Sequence, residues 1–308
     1  MAVTAKGGAG GRLVGVETGG TKILCRVIDK SGATLADVRF DTTTPDAALA
    51  QLTVCIEGAG GPVAGIGIAS FGPVVVDPAS SDYGRVLATP KSGWEGANLW
   101  AALTERFDAP AALDTDVNCA ALAEAADGAA IGLSTVAYLT VGTGIGGGLV
   151  TGGRLLHGAL HPEVGHLRLH RALGDDAPSG CPFHDDCAEG LCAGPALAGR
   201  LAGGGLADDP RQAALVAGYL AELCAALTLA WSPECIVLGG GVMKTLGLLS
   251  AVEAALQAAA GSYGPLQAAV QPGFLRPAAL ENAGLTGALM LAKAAAATSR
   301  PAPVWAAP

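Results

Sequence analysis

The chain is poor in aromatic and charged residues. Aromatic residues make up 4% and charged residues 15% of the 308 residues, whereas hydrophobic residues make up 51%. Because rings are scarce, the core must be built from Ala, Val, Leu and Ile, which favours helices packed closely on a sheet. The length is ample for a large core and predicts about two domains.

Positive charge is also in short supply. The chain has 18 Lys and Arg against 27 Asp and Glu, which gives a formal net charge of −9. Nucleic acid and anionic membrane surfaces attract basic proteins, so this balance argues against both as partners. We therefore expect neither a nucleic-acid partner nor a membrane partner.

Long apolar runs and cysteine frameworks are missing as well. The N-terminal stretch lacks the apolar run of a signal peptide, and the most apolar segment, Ala213–Trp231, is interrupted by Glu222. The eight cysteines show no framework of short spacings, and six of them lie within apolar or helical patterns typical of buried thiols. These features predict a cytoplasmic protein. The six cysteines are Cys25, Cys55, Cys119, Cys192, Cys224 and Cys235.

One stretch concentrates the residues that bind metals. All five histidines lie between His157 and Glu189, where Cys181, His184 and Cys187 follow a C-x2-H-x2-C spacing. With His166 as the fourth ligand, two thiolates and two neutral imidazoles would form a closed tetrahedral zinc site of the structural kind. The alternative is a chance cluster of core histidines and cysteines.

The same stretch contains a pattern similar to the metalloprotease motif H-E-x-x-H. Pro162 occupies the position of the first histidine, ahead of Glu163 and His166. Pro and Gly in this segment also argue against a helix that carries both ligands on one face. We therefore exclude a protease.

Glycine-rich turns follow three predicted strands. The first turn, Glu17–Lys22, joins strands Arg12–Val16 and Ile23–Asp29, and its backbone N–H groups with the Thr21 hydroxyl can face an anion. A plain hairpin turn is the alternative. The second turn begins at Gly142 and leads into a strand, so it is neither a Rossmann nor a P-loop fingerprint. The third is Gly239–Gly241.

Acidic residues follow another predicted strand, Ala111–Leu113. They belong to the run Asp114-Thr115-Asp116-Val117-Asn118, directly before a helix predicted from Cys119 to about Ala130. Ligands of open α/β sheets bind at such strand ends. Helix capping by Asp116 is the alternative reading.

The remaining pattern alternates between strands and helices. Further strands are predicted over Val63–Ala69, Val74–Pro78, Thr135–Val141 and Cys235–Leu238. Helices are predicted over Pro45–Glu57, Asn98–Phe107, Gly194–Leu201, Pro210–Trp231, Lys244–Ala259 and Leu285–Ala297. With three glycine turns at strand exits, this order predicts two related α/β halves that bind a nucleotide.

Four stretches together resemble the sugar kinases of the repressor/open-reading-frame/kinase (ROK) family, and within it the fructokinases. The resemblance covers Leu13 to Ala297 and implies a two-domain α/β fold of the actin-like ATPase (ribonuclease H-like) type with a zinc-binding loop. The stretches are Glu17–Lys22, Thr89–Trp94, Asp114–Asn118 and His161–Gly190.

The resemblance also implies the domain organisation. Residues 12–118 would form a small N-terminal domain, completed by a C-terminal helix over residues 285–298. Residues 119–284 would form a larger domain with the zinc loop at 157–190. We expect the active site in a cleft between these domains, which closes on substrate.

Roles for individual residues follow from the resemblance. Asp116 would be the general base, and the sugar would contact Asp114, Asn118, Glu163, His166 and Glu189. ATP would be bound by Gly19, Gly20, Thr21, Lys22, Thr143 and Gly144, with Gly239, Gly240 and Gly241 on the adenosine side. Glu17 and Thr115 depart from the Asp and Asn that most of the family carry at these positions.

The implied activity is ATP-dependent phosphorylation of a hexose with Mg²⁺, and fructose is the expected acceptor, with mannose or glucose as alternatives. A DNA-binding sugar-sensing repressor is not expected, because the first strand begins at about Arg12 and leaves no room for a helix-turn-helix. A non-catalytic sugar-binding protein is the other alternative. A homodimer is expected from the family only.

Overall fold

The structure, a computed structural model, describes residues 11–261 and 263–297. They divide into two compact units. Unit 1 comprises the described residues up to Ala123, His157–His161 and those from Asn282 on, and unit 2 comprises Glu124–Leu156 and Pro162–Glu281. Residues 157–161, which the sequence-based division assigns to the second domain, thus group with unit 1. The expectations for the N-terminal stretch and for residue 298 lie outside the described residues.

Unit 1 is built on a five-stranded sheet. The strands lie in the order β3-β2-β1-β4-β5. The β1–β2 and β2–β3 pairs are antiparallel, whereas β4 runs parallel to β1 and β5 parallel to β4. The elements are β1 Arg12–Thr18, β2 Lys22–Ile28, β3 Thr34–Asp41, α1 Pro45–Gly58, β4 Val63–Ser70, α2 Leu99–Phe107, β5 Ala111–Thr115 and α3 Asp116–Asp127, which continues into unit 2.

Unit 2 repeats this arrangement with a second sheet. The described elements are β6 Thr135–Val141, β7 Ile145–Thr151, β8 Arg154–Leu155, α4 Ala188–Cys192, α5 Gly194–Leu201, α6 Pro210–Trp231, β9 Cys235–Gly239, α7 Leu248–Ala259, α8 Leu266–Ala269 and β10 Leu275–Pro277; the last helix, α9 Ala283–Ala297, belongs to unit 1. The strand order is β10-β9-β6-β7-β8. The β6–β7 and β7–β8 pairs are antiparallel, and the β6–β9 and β9–β10 pairs are parallel. This sheet therefore has the same sequence of antiparallel and parallel pairs as the sheet of unit 1.

Helix α9 lies very close to the sheet of unit 1 because several strand positions are glycine. A Cβ built on Gly67 of β4 would overlap the carbonyl oxygen of Ala288, and one on Gly65 would overlap that of Ala292. On β1, a Cβ at Gly15 would lie 2.7 Å from Cγ of Leu289. We name Gly15, Gly65 and Gly67 the glycine stripe. Only residues without a side chain allow this approach of helix backbone to strand backbone.

Helix α6 forms the centre of the unit 2 core. It has the length and apolar composition of a membrane span, and half of its most apolar window is buried within the protein. Asp209 caps its N-terminus by accepting the N–H groups of Arg211 and Gln212. The helix packs against α4 and α7, as expected for a core helix.

Several predicted boundaries differ from the structure. Strand β3 was not predicted because it is a sheet-edge strand without a fully buried residue. The predicted strand Val74–Pro78 contributes only an isolated bridge from Val74 to Val86. Helix α7 begins at Leu248, because Gly247 adopts φ +79° and interrupts the segment predicted as helix.

Candidate functional site

Asp116 stands where the sheet of unit 1 meets a helix. Strand β5 ends at Thr115, and Asp116 is the first residue of α3. Its Oδ1 accepts the N–H of Val117 at 2.9 Å, and the residue is half-buried. Asp116 therefore occupies a helix start and also remains accessible to solvent.

Behind Asp116, three polar side chains form a buried cluster. Asn118 Nδ2 donates to Asp114 Oδ1 at 2.8 Å, and His157 Nε2 lies 2.9 Å from Asp114 Oδ2. Asp114 is 1% and Asn118 0% exposed. The side-chain amide oxygen of Asn118, Oδ1, is buried without a hydrogen-bond partner among the described residues. His157 was not among the predicted site residues, and no local sequence signal pairs it with Asp114.

His161 belongs to unit 1 for a similar reason. Its Nε2 accepts the N–H of Val74 at 3.1 Å. Of the five histidines in the predicted metal stretch, His157 and His161 therefore serve unit 1 instead of a metal. His170 lies elsewhere, with its Nδ1 2.5 Å from Glu222 Oε1 on the surface.

The four predicted zinc ligands come together in unit 2. One ligand atom from each of His166, Cys181, His184 and Cys187 lies within 4.8 Å of the others. His166 Nδ1 is 3.7 Å from Cys181 Sγ and 3.8 Å from Cys187 Sγ, and His184 Nδ1 is 3.8 Å from Cys181 Sγ. Zinc–sulfur and zinc–nitrogen bonds of ordinary length give a tetrahedral S–N edge of about 3.6 Å. The four residues therefore fit a tetrahedral ion such as zinc.

A network of charged side chains supports the loop that carries these ligands. Arg200 Nη1 and Nη2 donate to the two oxygens of the buried Asp175 at 2.7 and 2.8 Å, and Tyr219 donates to Asp175 Oδ2 at 2.5 Å. The Arg200 guanidinium holds the pKa of Asp175 well below its usual range, with help from Tyr219. Arg171 binds Asp186 at 2.8 Å. The loop therefore has supports besides a metal.

Two carboxyl groups lie beside the metal cluster. Glu189 of α4 accepts the N–H of Ile145 at 3.0 Å, and a Cβ on Gly144 would lie 2.5 Å from Glu189 Oε2. Glu163 as a residue is exposed to solvent, although the surrounding protein atoms desolvate its carboxyl group. This desolvation, with the neighbouring Glu189 carboxylate, raises the pKa of Glu163 to about 7.

The glycine turn of unit 1 connects β1 to β2. Gly19 N–H donates to the Lys22 carbonyl at 2.8 Å, and Thr42 Oγ1 donates to the Gly19 carbonyl at 2.8 Å. Gly20 and Thr21 are exposed. The backbone at the tip of this turn is therefore open to a ligand.

The two glycine turns of unit 2 adjoin one another. Gly240 adopts φ +91°, and a Cβ on it would overlap the backbone of Val141, which immediately precedes the turn at Gly142. A Cβ on Gly241 would have no described atom within 4 Å. Gly240 is therefore required by packing and backbone conformation, whereas Gly241 faces open space. Thr143, in the adjoining turn, is exposed.

Residues Thr89–Trp94 form a loop of unit 1 that is held in place by the buried side chain of Trp94. Trp94 is buried, donates its Nε1–H to the Thr43 carbonyl at 2.7 Å and packs edge-on against Phe71. Lys91 Nζ lies 4.0 Å from the centre of the Phe71 ring, at cation–π distance.

The profile of the ROK family matches residues 13–295. This chain belongs to the ROK family. It is 37% identical over 286 residues to the fructokinase of Pediococcus pentosaceus, covering 91% of this chain and 97% of that protein. It is 38% identical over 290 residues to the fructokinase of Zymomonas mobilis, covering 91% of this chain and 96% of that protein.

Solved ROK structures have the same fold. The ROK hexokinase of Thermus thermophilus is 31% identical to this chain and superimposes on it with a TM-score of 0.72. The match covers 92% of this chain and 98% of the hexokinase chain. The ROK glucokinase of Streptomyces griseus, solved with glucose and AMPPNP, is 25% identical with a TM-score of 0.72 and covers 92% of this chain and 100% of its own. The two-sheet α/β sugar-kinase fold predicted from the sequence is thereby confirmed.

Within this ROK chain, the predicted site residues fall into two groups. Unit 1 holds the base candidate with the buried polar pair behind it and the first glycine turn: Asp114, Asp116, Asn118, Gly19, Gly20, Thr21 and Lys22. Unit 2 holds the metal quartet, two carboxylates and two glycine turns: His166, Cys181, His184, Cys187, Glu163, Glu189, Thr143, Gly144, Gly239, Gly240 and Gly241. The roles of these residues remain predictions.

Proposed function

We propose that the protein transfers the γ-phosphoryl group of Mg-ATP to the 6-hydroxyl of fructose. The observation that carries this proposal is the match to fructokinases along 91% of the chain and nearly their whole length, at 37% and 38% identity. The ROK hexokinase and glucokinase structures match at 31% and 25%. The complex of the glucokinase with AMPPNP supports ATP as co-substrate.

Asp116 is the proposed general base. Phosphoryl transfer depends mainly on positioning and on neutralising charge, and a carboxylate takes the proton of the attacking hydroxyl. Such general-base assistance contributes about 10²- to 10⁴-fold. The half-buried Asp116, at the end of β5, is accessible to a sugar, whereas Asp114 is buried behind it and bound to Asn118. Asp114 and Asn118, which are hydrogen-bonded to each other, are proposed as sugar-binding residues next to this base.

The three glycine turns would bind Mg-ATP. Backbone N–H groups at exposed turn tips bind phosphate oxygens, and the magnesium ion arrives with the nucleotide and keeps part of its water shell. Gly20 and Thr21 in unit 1 and Thr143 in unit 2 have the exposed backbone that such binding needs. Gly241, with open space where a side chain would stand, suits the approach of the adenosine.

The sugar hydroxyls would be held by Glu163, His166 and Glu189. A carboxyl group whose pKa is about 7 exchanges between donor and acceptor near neutral pH, which suits a hydroxyl partner. His166 would bind zinc through Nδ1 and leave Nε2 for the sugar. The metal quartet is a closed set of four protein ligands, so the zinc would be structural.

We further propose a homodimeric cytoplasmic enzyme with the two-domain division described above. No nucleic-acid or membrane partner is proposed, in keeping with the net charge of −9. These proposals rest on the family and the composition. Sedimentation of the purified protein measures the oligomeric state directly.

A sugar panel tests the proposed function. We would measure kcat/KM with Mg-ATP for fructose, mannose, glucose and N-acetylmannosamine. Fructose should lead, with mannose second. A lead for glucose of about tenfold or more, about 1.4 kcal/mol in transition-state binding, would reject fructose as the acceptor and leave the kinase standing. Absence of turnover with every sugar would reject the kinase.

A further inference from the structure

The carboxylate of Glu17 has a defined partner at the start of helix α9. Glu17 lies near the end of β1, two residues before Gly19. Its Oε2 accepts the N–H of Leu285, the third residue of α9, at 2.8 Å. The first N–H groups of a helix have no partner within the helix, so a carboxylate there acts as a cap.

Gly284 makes room for this cap. A Cβ built on Gly284 would lie 2.8 Å from Cδ of Glu17 and 3.1 Å from each of its carboxylate oxygens. Real Cβ contacts are essentially never that short to the carbon, so the glycine and the glutamate side chain are matched in shape. The Glu17 carboxylate therefore lies directly over the first turn of α9.

The N-terminal half of α9 also packs against the start of α3. A Cβ on Gly287 would overlap the carbonyl oxygen of Cys119, which lies three residues after Asp116. Burial, with the fields of Asp114, Asp116 and Glu17, raises the pKa of the Cys119 thiol well above its usual value. The N-terminus of α9 therefore adjoins both the glycine turn through Glu17 and the helix that begins with Asp116.

We propose that Glu17 is a positioning residue that caps α9 and thereby fixes the turn Gly19–Lys22 relative to Asp116, and that it does not contact the metal ion of Mg-ATP. This proposal rests on the proposed function. Side-chain length is decisive: aspartate is shorter by one methylene group and, from the same backbone position, cannot reach the N–H of Leu285. The extra methylene of this chain is what makes the cap.

Two substitutions separate capping from metal contact, because the two roles rank them in opposite order. Glu17→Gln keeps the length and one acceptor oxygen, so as a cap it should keep kcat within about threefold and leave the ligand-free Tm near the wild-type value. Glu17→Asp should lower the ligand-free Tm by about 3 °C and raise KM for Mg-ATP about tenfold. If Glu17 contacted the metal, Glu17→Asp would stay near wild type, and Glu17→Gln would lose about 10²-fold in kcat and need more Mg²⁺.

A double-mutant cycle tests the shape match without any activity measurement. Gly284→Ala should lower Tm, because the new methyl group displaces the Glu17 carboxylate. In the Glu17→Asp background the shorter side chain leaves room for the methyl group. Gly284→Ala should then lower Tm much less, or raise it by stabilising the helix. Gly218→Ala in α6, where no described atom lies within 4 Å of the new Cβ, is the matched control and should be additive with Glu17→Asp.

The outcomes distinguish failure of the cap from failure of the proposed function. Coupling between positions 17 and 284 in a protein without kinase activity would retain the cap and reject the kinase. Two results would reject the capping role of Glu17. One is strict additivity of the Tm changes of Glu17→Asp and Gly284→Ala. The other is an active kinase in which Glu17→Asp is near wild type and Glu17→Gln is impaired.

Discussion

At the scale of single residues, Asp116 is the most informative position. Asp116→Asn keeps the size and the helix-start geometry but removes the basicity, so kcat should fall at least about 10²-fold while KM for fructose changes little. The control is Asp127→Asn, an exposed carboxylate at the other end of α3, which should leave kcat unchanged. Near-normal turnover by Asp116→Asn would make Asp116 a cap only.

Glu163 predicts a pH dependence of stability. Its pKa is raised to about 7 in the folded state by burial and by Glu189, against 4.5 for an ordinary glutamate. The folded state therefore binds the proton more tightly, and this stabilisation is complete below about pH 4.5 and is lost as pH rises through about 7. Glu163→Gln does not titrate, so its Tm relative to wild type should rise between pH 5 and pH 8.

The control for this measurement is Glu105→Gln, an exposed carboxylate on α2. Its Tm should run parallel to that of the wild type between pH 5 and pH 8. A constant difference between Glu163→Gln and wild type across that range would show that Glu163 ionises like an ordinary glutamate.

Individual residues differ in how far the sequence reveals them. The metal quartet could be predicted because all five histidines lie in one stretch, and C-x2-H-x2-C brings three ligands to one turn by spacing alone. His157 could not, because its partner Asp114 lies on another element and only the fold brings the two together. The role of Glu17 likewise depends on α9, 268 residues away in sequence.

At the scale of elements, the metal loop makes a prediction about zinc. Elemental analysis should find about one zinc per chain, and Cys181→Ser should abolish it. Because Arg200–Asp175 and Arg171–Asp186 also support the loop, metal loss should impair fructose binding while far-ultraviolet circular dichroism stays near that of the wild type. Cys55→Ala, a cysteine of unit 1, is the control. Full activity in metal-free protein that was never chelated would reject the site.

The glycine stripe, which lets α9 pack closely on β1 and β4, could not be predicted from the sequence. The sequence pattern singles out glycines in turns, whereas Gly67 lies within β4 and allows its contact with α9. Gly67→Ala would place a methyl group onto the Ala288 carbonyl and should destabilise by about 3 kcal/mol or more. Gly218→Ala, exposed in α6, should instead stabilise by up to about 1 kcal/mol. Equal Tm shifts in the two variants would contradict the close packing.

At the scale of the molecule, the two sheets share one strand order and one pattern of parallel and antiparallel pairs. The sequence predicted two related halves from the repetition of strand, glycine turn and strand, a signal that recurs because each half needs the same turn. The family resemblance implies that the C-terminal helix completes the first domain, whereas contacts and not composition place residues 157–161 with unit 1.

The composition of unit 1 from separate chain segments has a consequence for synthesis. Residues 11–123 emerge from the ribosome before the rest of unit 1. The face of their sheet that packs against α9 stays uncovered until residues 283–297 have emerged. Unit 2, which ends at Glu281, has all its segments available before then. We therefore expect the half that begins the chain to finish folding last. Pulse proteolysis of a released chain truncated after Glu281 should find unit 2 protected and β1–β5 still cleavable.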